Sequence, residues 1–233
     1  MDNEKSIKTQ GHGRLKLILA VRFGLAGPIM AAAFFLPAGT LDYWQAWVYM
    51  GLLLLPMFLA VAYFLKKDPE LLERRMRTKE REPQQKTIIR LSALLFLAIY
   101  LLPGFDRRFG WSSVPLIAVI TADLIILAAY WRFIRVMREN RYLSRVVEVE
   151  QKQKVIDTGP YALVRHPMYA AIIPLYLFTP LALGSFWAMI PAAFFPLLLI
   201  ARILNEEKVL SRELAGYRKY ARRVKFRLIP GVW

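Results

Sequence analysis

The chain has 233 residues, of which 57% are hydrophobic, and its mean hydropathy is +0.34. This apolar share is too high for a soluble globule of that length and indicates a membrane protein. The absence of cysteine excludes disulfides, thiolate metal sites and cysteine nucleophiles, and the net charge of +16 lies in blocks between apolar runs, which favours membrane topology over nucleic-acid binding.

Four apolar runs are long enough to cross a bilayer, since about 20 apolar residues span its hydrocarbon core. They cover approximately residues 15–37, 43–65, 88–105 and 112–134. Arg22 interrupts the start of the first run, and its long side chain is expected to reach the membrane surface.

The charged loop from Lys66 to Lys86 separates the second run from the third. A helix is predicted after Asp68-Pro69, lying as a solvated surface helix near anionic headgroups. A role in gating substrate access is the alternative.

Asp123 lies well inside the fourth run. A carboxyl group at this depth is costly and must face protein or water. A functional role and a packing role are both open.

A fifth apolar region, about 168–204, is divided by Gly184-Ser185, which predicts a tight hairpin whose first arm has only about 16 residues. We therefore predict an all-α bundle of about five to six transmembrane helices with both termini on one side. That side carries 31 of the 33 Lys and Arg residues, with only Arg107 and Arg108 opposite, which predicts cytosolic termini and a cytosolic site.

Two polar stretches flank this hairpin. The first runs from Gly159 to Tyr169, and the second begins at Asn205 and continues to Pro230. Because the hairpin leaves and returns, both stretches are expected to meet on one side and form one pocket. Simpler interpretations exist: Arg202 forms an i,i+4 pair with Glu206, His166 bonds backbone, and the arginines contact lipid phosphate.

Taken together, GPYxxxRHPxY, the apolar hairpin, EExxL, YxxY, a valine and IP resemble the C-terminal half of the isoprenylcysteine carboxyl methyltransferase family. The similarity covers about Val155 to Trp233, and is looser at residues 68–72 and 79–80. It implies an integral membrane enzyme that binds S-adenosylmethionine at the cytosolic face, and divides the chain into N-terminal helices (1–150) and a methyltransferase region (151–233). No G-x-G-x-x-G dinucleotide motif follows a strand-like segment.

Two positions depart from the family pattern. Ala171 replaces the usual glycine after the RHPxY motif, and Leu214-Ala215-Gly216-Tyr217 is one residue shorter than the usual Phe-Gly-x-x-Tyr. The alanine at position 171 bears on how closely the backbone can approach the cofactor. The shorter stretch bears on how the residues after Leu210 align with the family motif.

The resemblance also implies residue roles. Arg165 and His166 would donate to the carboxylate or ribose oxygens of the cofactor, and Glu206 or Glu207 would accept from its ribose hydroxyls or ammonium. The tyrosines would border its adenine or sulfonium, since aromatic faces attract cations. The full cofactor-binding set is Tyr161, Arg165, His166, Pro167, Tyr169, Glu206 and Glu207, with no metal ligands.

Arg165 and Arg223 are the candidate catalytic residues, with Arg223 or Arg222 holding the acceptor as a forked donor. A carboxylate nucleophile is favoured because it is ionised at neutral pH and needs no base, whereas an ammonium must lose a proton. The acceptor is expected to be lipid-like: a prenylated cysteine, a phospholipid amine or a small hydrophobic metabolite. No nucleic-acid partner is expected, and the oligomeric state is open.

Three other functions are compatible with the sequence. The first is a phospholipid N-methyltransferase, which belongs to the wider relatives of the same family. The second is an NADPH-dependent sterol-type reductase, since such enzymes share an RHPxY and acidic-helix signature but have more spans. The third is a non-catalytic membrane protein whose basic faces hold lipid headgroups.

Overall fold

The computed structural model describes residues 2–78, 80 and 82–233, with side chains from residue 13 onward. Lys79, part of the looser family similarity, lies outside the described residues. Helices make up most of the chain, and the described residues form no strand, which confirms the all-α prediction. In order the elements are α1 (Asp2–Gly24), α2 (Ala26–Ala38), α3 (Trp44–Lys67), α4 (Pro69–Met76), α5 (Pro83–Phe109), α6 (Leu116–Glu139), a 3-10 helix (Gly159–Ala162), α7 (Pro167–Ala182), α8 (Met189–Glu213) and α9 (Tyr217–Arg223).

Five segments are long and apolar enough to cross a membrane: Gly13–Ala38, Trp44–Lys67, Pro83–Phe109, Leu116–Glu139 and Met189–Glu213. The protein is therefore a multi-pass membrane protein, as predicted. The first predicted run is divided between α1 and α2 at Leu25. Pro28 explains the division, because proline has no N–H to donate to the carbonyl of Gly24.

Helix α7 lies in the middle of the bundle. It packs most extensively against α6 and also contacts α5 and α8. Small side chains make this close packing possible, since Ala122 of α6 and Ala171 of α7 are both fully buried. With 16 residues, α7 rises about 24 Å, so it is shorter than the five long segments.

A buried hydrogen-bond cluster, which we call the turn knot, fixes the turn between α7 and α8. The Asp106 carboxylate, at the end of α5, accepts bonds from the backbone N–H of Ser112 (2.7 Å), the Ser112 hydroxyl (2.6 Å) and the Ser185 hydroxyl (2.5 Å). Gly184 has a φ of +73°, a conformation that favours glycine. The predicted division at Gly184-Ser185 is thus a closed turn anchored to α5.

Helix α4 confirms the helix predicted in the charged loop, but it is not fully solvated. The Asp68 side chain caps it by accepting a bond from the N–H of Leu71 at 3.1 Å. Leu71 and Leu72 are buried against α1 and α3. On its other face, Arg74 bonds Glu150 at 3.0 Å, which ties α4 to the segment after α6.

Asp123 is half-buried in α6. Its Oδ1 atom is buried and has no hydrogen-bond partner among the residues that the structure describes. Both interpretations of this carboxyl group, functional and packing, stay open.

Candidate functional site

A cleft lies at the end of the bundle opposite the turn knot. It has about 850 Å³ of space, part of which is open to solvent. Its walls come from the segment 140–156, the start of α7, the end of α8, and α9. Helix α8 continues seven residues, about 10 Å, beyond Glu206, whereas α7 begins near that level, and this difference leaves the space.

The two polar stretches meet at this cleft, as the sequence predicts. The backbone N–H groups of Arg165 and His166 donate to the carbonyls of Phe226 and Arg227, both at 2.9 Å. The hydroxyl of Tyr220 donates to the carbonyl of Tyr161 at 2.8 Å. These bonds hold the segment before α7 against the segment after α9.

The Glu207 carboxylate is buried beneath the cleft among three nitrogen-bearing side chains. Its Oε1 lies 3.1 Å from both Arg165 Nη1 and His166 Nε2, and its Oε2 accepts from Arg227 Nε at 3.0 Å. Because an ionised carboxylate only accepts, His166 donates through Nε2. Both oxygens of Glu207 are thus used, and this residue does not line the cleft.

Glu206, its neighbour on α8, lines the cleft. Its Oε2 accepts from the Tyr169 hydroxyl at 2.7 Å, and that hydroxyl accepts from Arg202 Nε at 2.9 Å. The predicted direct pair between Arg202 and Glu206 is therefore replaced by a bridge through Tyr169, because the α7 hydroxyl lies between the two side chains.

Tyrosines form much of the remaining wall. The Tyr161 hydroxyl accepts from Asn140 Nδ2 at 3.0 Å, and burial raises the pKa of Tyr161 above its usual value. Burial likewise raises the pKa of Tyr217 and Tyr220. These phenols are therefore neutral at physiological pH, and they present aromatic faces and hydroxyl groups rather than negative charge.

Two polar atoms at the cleft are buried and lack a hydrogen-bond partner among the described residues. They are Nε of Arg165 and the hydroxyl of Tyr217. Buried polar groups nearly always have a partner in native structures, so these two atoms are free to bond a water molecule or a polar ligand.

The other predicted residues occupy different places. Pro167 is the first residue of α7 and lines the cleft. Arg223 does not line it: its exposed guanidinium pairs with Asp157 at the surface. Ala171, the departure from the family pattern, is fully buried in helix packing and is also absent from the cleft wall.

Sequence reasoning missed part of the wall. Asn140 and the segment 142–156 line one side, yet they show no periodicity or motif that would place them there. Arg202 also lines the cleft, and its spacing four residues before Glu206 was the available signal.

Comparison with known proteins gives one family. Residues 119–212 match the isoprenylcysteine carboxyl methyltransferase (ICMT) family. The matched range begins in α6, upstream of Val155, and ends in α8, before the tyrosines of α9. No curated protein matches the chain significantly. The match covers most of α6, all of α7 and the Glu206-Glu207 pair, so residues 119–212 of this multi-pass membrane protein are similar to the ICMT family, as the sequence motifs predict.

Proposed function

We propose that this protein transfers a methyl group from S-adenosylmethionine to the carboxylate of a lipid-like acceptor, as on a prenylated cysteine. The observation that carries the proposal is the convergence of Arg165, Tyr169 and Glu206 on one cleft within or beside the matched family region. The two unpartnered polar atoms at this cleft support a polar ligand there.

The cleft residues fit the groups that the cofactor offers. Arg165 Nε and the Tyr217 hydroxyl are suited to its carboxylate or ribose oxygens, and Glu206 is suited to its hydroxyls or ammonium. Neutral tyrosine faces stabilise a sulfonium by about 0.5 to 2 kcal/mol. Tyr161 and Tyr169 would supply these faces, and Pro167 would fix the start of α7 beside them.

His166 and Glu207 have a positioning role in this proposal. Glu207 compensates the charges of Arg165 and Arg227, and it orients the imidazole of His166. Buried charges held by several partners are rigid, and rigid placement of donors lowers the cost of binding. The cluster therefore holds Arg165 in the geometry that leaves its Nε directed to the ligand.

S-adenosylmethionine held here would supply an electrophilic methyl group. A carboxylate oxygen would form the new C–O bond as the S–CH3 bond breaks, with S-adenosylhomocysteine as the leaving group and without any proton transfer. The cleft suits this chemistry because no free base is needed. His166 is engaged by Glu207, and Glu206 is engaged by Tyr169. An ammonium acceptor would need one of these groups to be released to take its proton.

Arg223 is assigned to the rim in this proposal. It lies one turn after Tyr220, whose side chain lines the cleft, and it pairs with Asp157. An exposed arginine at the entrance would attract an anionic acceptor, whereas Arg165 would contact the cofactor inside the cleft.

We propose that the cleft end faces the cytosol, because nearly all Lys and Arg residues lie in the segments at that end. The chain has no cysteine, so single cysteines can report its orientation. In intact cells, Leu41→Cys at the turn end should react with an impermeant maleimide and Lys219→Cys should not. The reverse pattern would contradict this orientation.

Cofactor binding is tested by thermal stabilisation of the purified protein. S-adenosylhomocysteine should raise the melting temperature, and NADPH should not. Glu206→Gln should weaken S-adenosylhomocysteine binding about tenfold, while the exposed control Glu213→Gln should bind as the wild type does. Stabilisation by NADPH alone would favour the reductase alternative.

Transfer is tested by incubating the purified protein and its native lipid extract with cofactor carrying a labelled methyl group. Label released by mild base would identify a methyl ester, because esters hydrolyse there. Base-stable label on a phospholipid amine would support N-methylation instead, and absence of label with retained lipid binding would support a non-catalytic protein.

A further inference from the structure

Helix α4 directs one arginine inward. Arg75 follows Leu71 by four residues and Leu72 by three, so it shares their face of the helix. That face packs against α1, α3 and α6, and both leucines are buried there. The Arg75 guanidinium is therefore carried inward with them.

The other arginines of this loop are compensated by acids. Arg74 pairs with Glu70 and Glu150, and Arg77 pairs with Glu148 and Glu150. Arg75, in contrast, has no carboxylate within salt-bridge distance in the part of the chain that the structure describes.

The Arg75 guanidinium is partly buried, and its contacts are weak for a cation withdrawn from water. Its Nη1 donates to the carbonyl of Ser144 at 3.4 Å and lies 3.7 Å from the sulfur of Met168. Its central carbon lies 5.6 Å from the centre of the Phe133 ring. Burial without a counter-ion lowers the pKa of Arg75 below its usual value. A cation partly withdrawn from water that lacks an anion loses hydration, and an anionic ligand would offset that loss.

This guanidinium adjoins the cleft. Ser144 and Met168, its two polar contacts, both line the cleft wall. Arg202, which also lines the cleft, lies on the same side, since its Nη2 donates to the carbonyl of Arg145, the residue after Ser144. Met168 separates the guanidinium from the open space, and its flexible thioether side chain can move aside for a ligand.

The apolar neighbours of Arg75 distinguish it from the cofactor contacts proposed above. It stacks on Phe133 of α6, and the face of α4 that carries it packs against the apolar side chains of α1, α3 and α6. Arg165 and Tyr217, in contrast, lie on the side of the cleft formed by α9 and the C-terminal segment. Arg75 thus lies on the side of the cleft formed by α4 and α6, away from α9.

We propose that Arg75 binds the carboxylate of the acceptor, so that the protein selects apolar molecules that end in an anionic carboxyl group. This inference rests on the proposed methyl transfer and names the residue that recognises its substrate class. The forked guanidinium matches both oxygens of a carboxylate, and the surrounding apolar side chains suit the attached chain.

Binding measurements on the full-length protein in detergent test this assignment. The probes are S-farnesyl-N-acetylcysteine and its carboxamide, which differ only in the charged group. The wild type should bind the carboxylate at least about tenfold more tightly than the amide. Arg75→Met should bring this ratio close to one, and S-adenosylhomocysteine should bind that variant as it binds the wild type.

Arg135→Met is the matched control, because it removes an exposed cation that stacks on Trp131 and does not line the cleft. It should keep the wild-type ratio. Arg75→Lys, which retains the charge and loses the fork, should give an intermediate ratio, and it decides the question if the methionine variant does not fold.

Three results would overturn the assignment: equal binding of both probes by the wild type, an unchanged ratio in Arg75→Met, or an unchanged ratio in Arg75→Lys. Loss of S-adenosylhomocysteine binding in Arg75→Met with an unchanged ratio would place Arg75 at the cofactor. If the wild type binds no S-adenosylhomocysteine, the proposed transfer fails, while the two probes still measure the carboxylate preference.

Discussion

The two ends of the α7–α8 hairpin are both polar, but they use their polar groups differently. At the turn knot, the buried Asp106 carboxylate accepts three bonds from Ser112 and Ser185, so these groups satisfy one another. At the cleft, Arg165 Nε and the Tyr217 hydroxyl have no partner among the described residues. The first arrangement is typical of a structural clamp, and the second is typical of a binding site.

This difference between the two ends predicts different effects of substitution on stability and on ligand affinity. Substitutions at the turn knot should lower stability and leave ligand affinity unchanged in the folded protein. Substitutions at the cleft should lower affinity with smaller effects on stability. The following changes test this separation.

Asp106→Ala should have the largest effect. It leaves the buried hydroxyl of Ser185 and the partly buried donors of Ser112 without an acceptor, and since each buried group of this kind costs about 1 to 3 kcal/mol, a loss of about 3 kcal/mol is expected. Thermal unfolding in detergent measures it. Asp42→Ala is the control, because that carboxylate is 89% exposed. If Asp106→Ala unfolds at the same temperature as Asp42→Ala, the turn knot does not stabilise the fold.

Gly104→Ala should have the next largest effect, and it should also lower the stability of the protein. A Cβ on Gly104 would lie 2.7 Å from the carbonyl oxygen of Phe34 and 2.8 Å from Cβ of Pro37, so α5 and α2 must separate. Overpacking of this kind costs about 1 to 3 kcal/mol.

Gly51→Ala is the matched control for this substitution, because a Cβ there meets nothing within 4 Å. Alanine in a helix is favoured over glycine by roughly 0.5 to 1 kcal/mol, so this control should melt at the wild-type temperature or above. Equal destabilisation of both variants would show that close α2–α5 packing is not the cause.

Tyr169→Phe tests the cleft end. It removes the hydroxyl that joins Arg202 to Glu206, and a net loss of about 0.5 to 1.5 kcal/mol per hydrogen bond is expected. Titration with S-adenosylhomocysteine should show affinity about tenfold weaker. Tyr63→Phe, on the exposed part of α3, should bind normally, and weakening of both variants alike would argue against a role specific to Tyr169.

Acidification should have the smallest effect. Burial tends to raise the pKa of Glu150, but Arg74 and Arg77 outweigh it, and the net pKa lies below the ordinary 4.5. Its stabilising contribution is therefore complete above about pH 4.5 and is lost as the pH falls through the lower, folded-state value. Exposed pairs contribute about 1 kcal/mol or less.

Melting temperatures recorded between about pH 6 and pH 3 measure this contribution. Glu150→Gln should be less stable than the wild type at pH 6 and should converge with it in acid. A constant difference across that range would assign the effect to something other than the ionised carboxylate.

The sequence predicted the spans well because each of the five is defined by local composition. It predicted the meeting of the two polar stretches because a hairpin must return to the side it left. It did not predict which of Glu206 and Glu207 faces the cleft, since adjacent residues on a helix differ by about 100° and only the packing of α8 fixes its rotation.

The sequence also favoured Arg223 and did not single out Arg75. Arg223 belongs to a recognisable motif, whereas the charged loop that contains α4 has several arginines that the sequence does not distinguish from one another. Their burial differs only because Leu71 and Leu72 anchor one face of α4 to its neighbours.

Composition and motif order by themselves determined that this is a helical membrane protein with a methyltransferase signature on its basic side, because hydrophobic length and charge asymmetry act along the chain. Tertiary structure alone decided which polar atoms are satisfied and which face an open cleft. Hydrogen-bond satisfaction depends on contacts between segments far apart in sequence, such as Arg165 with Glu207, and no local pattern encodes the distance between them.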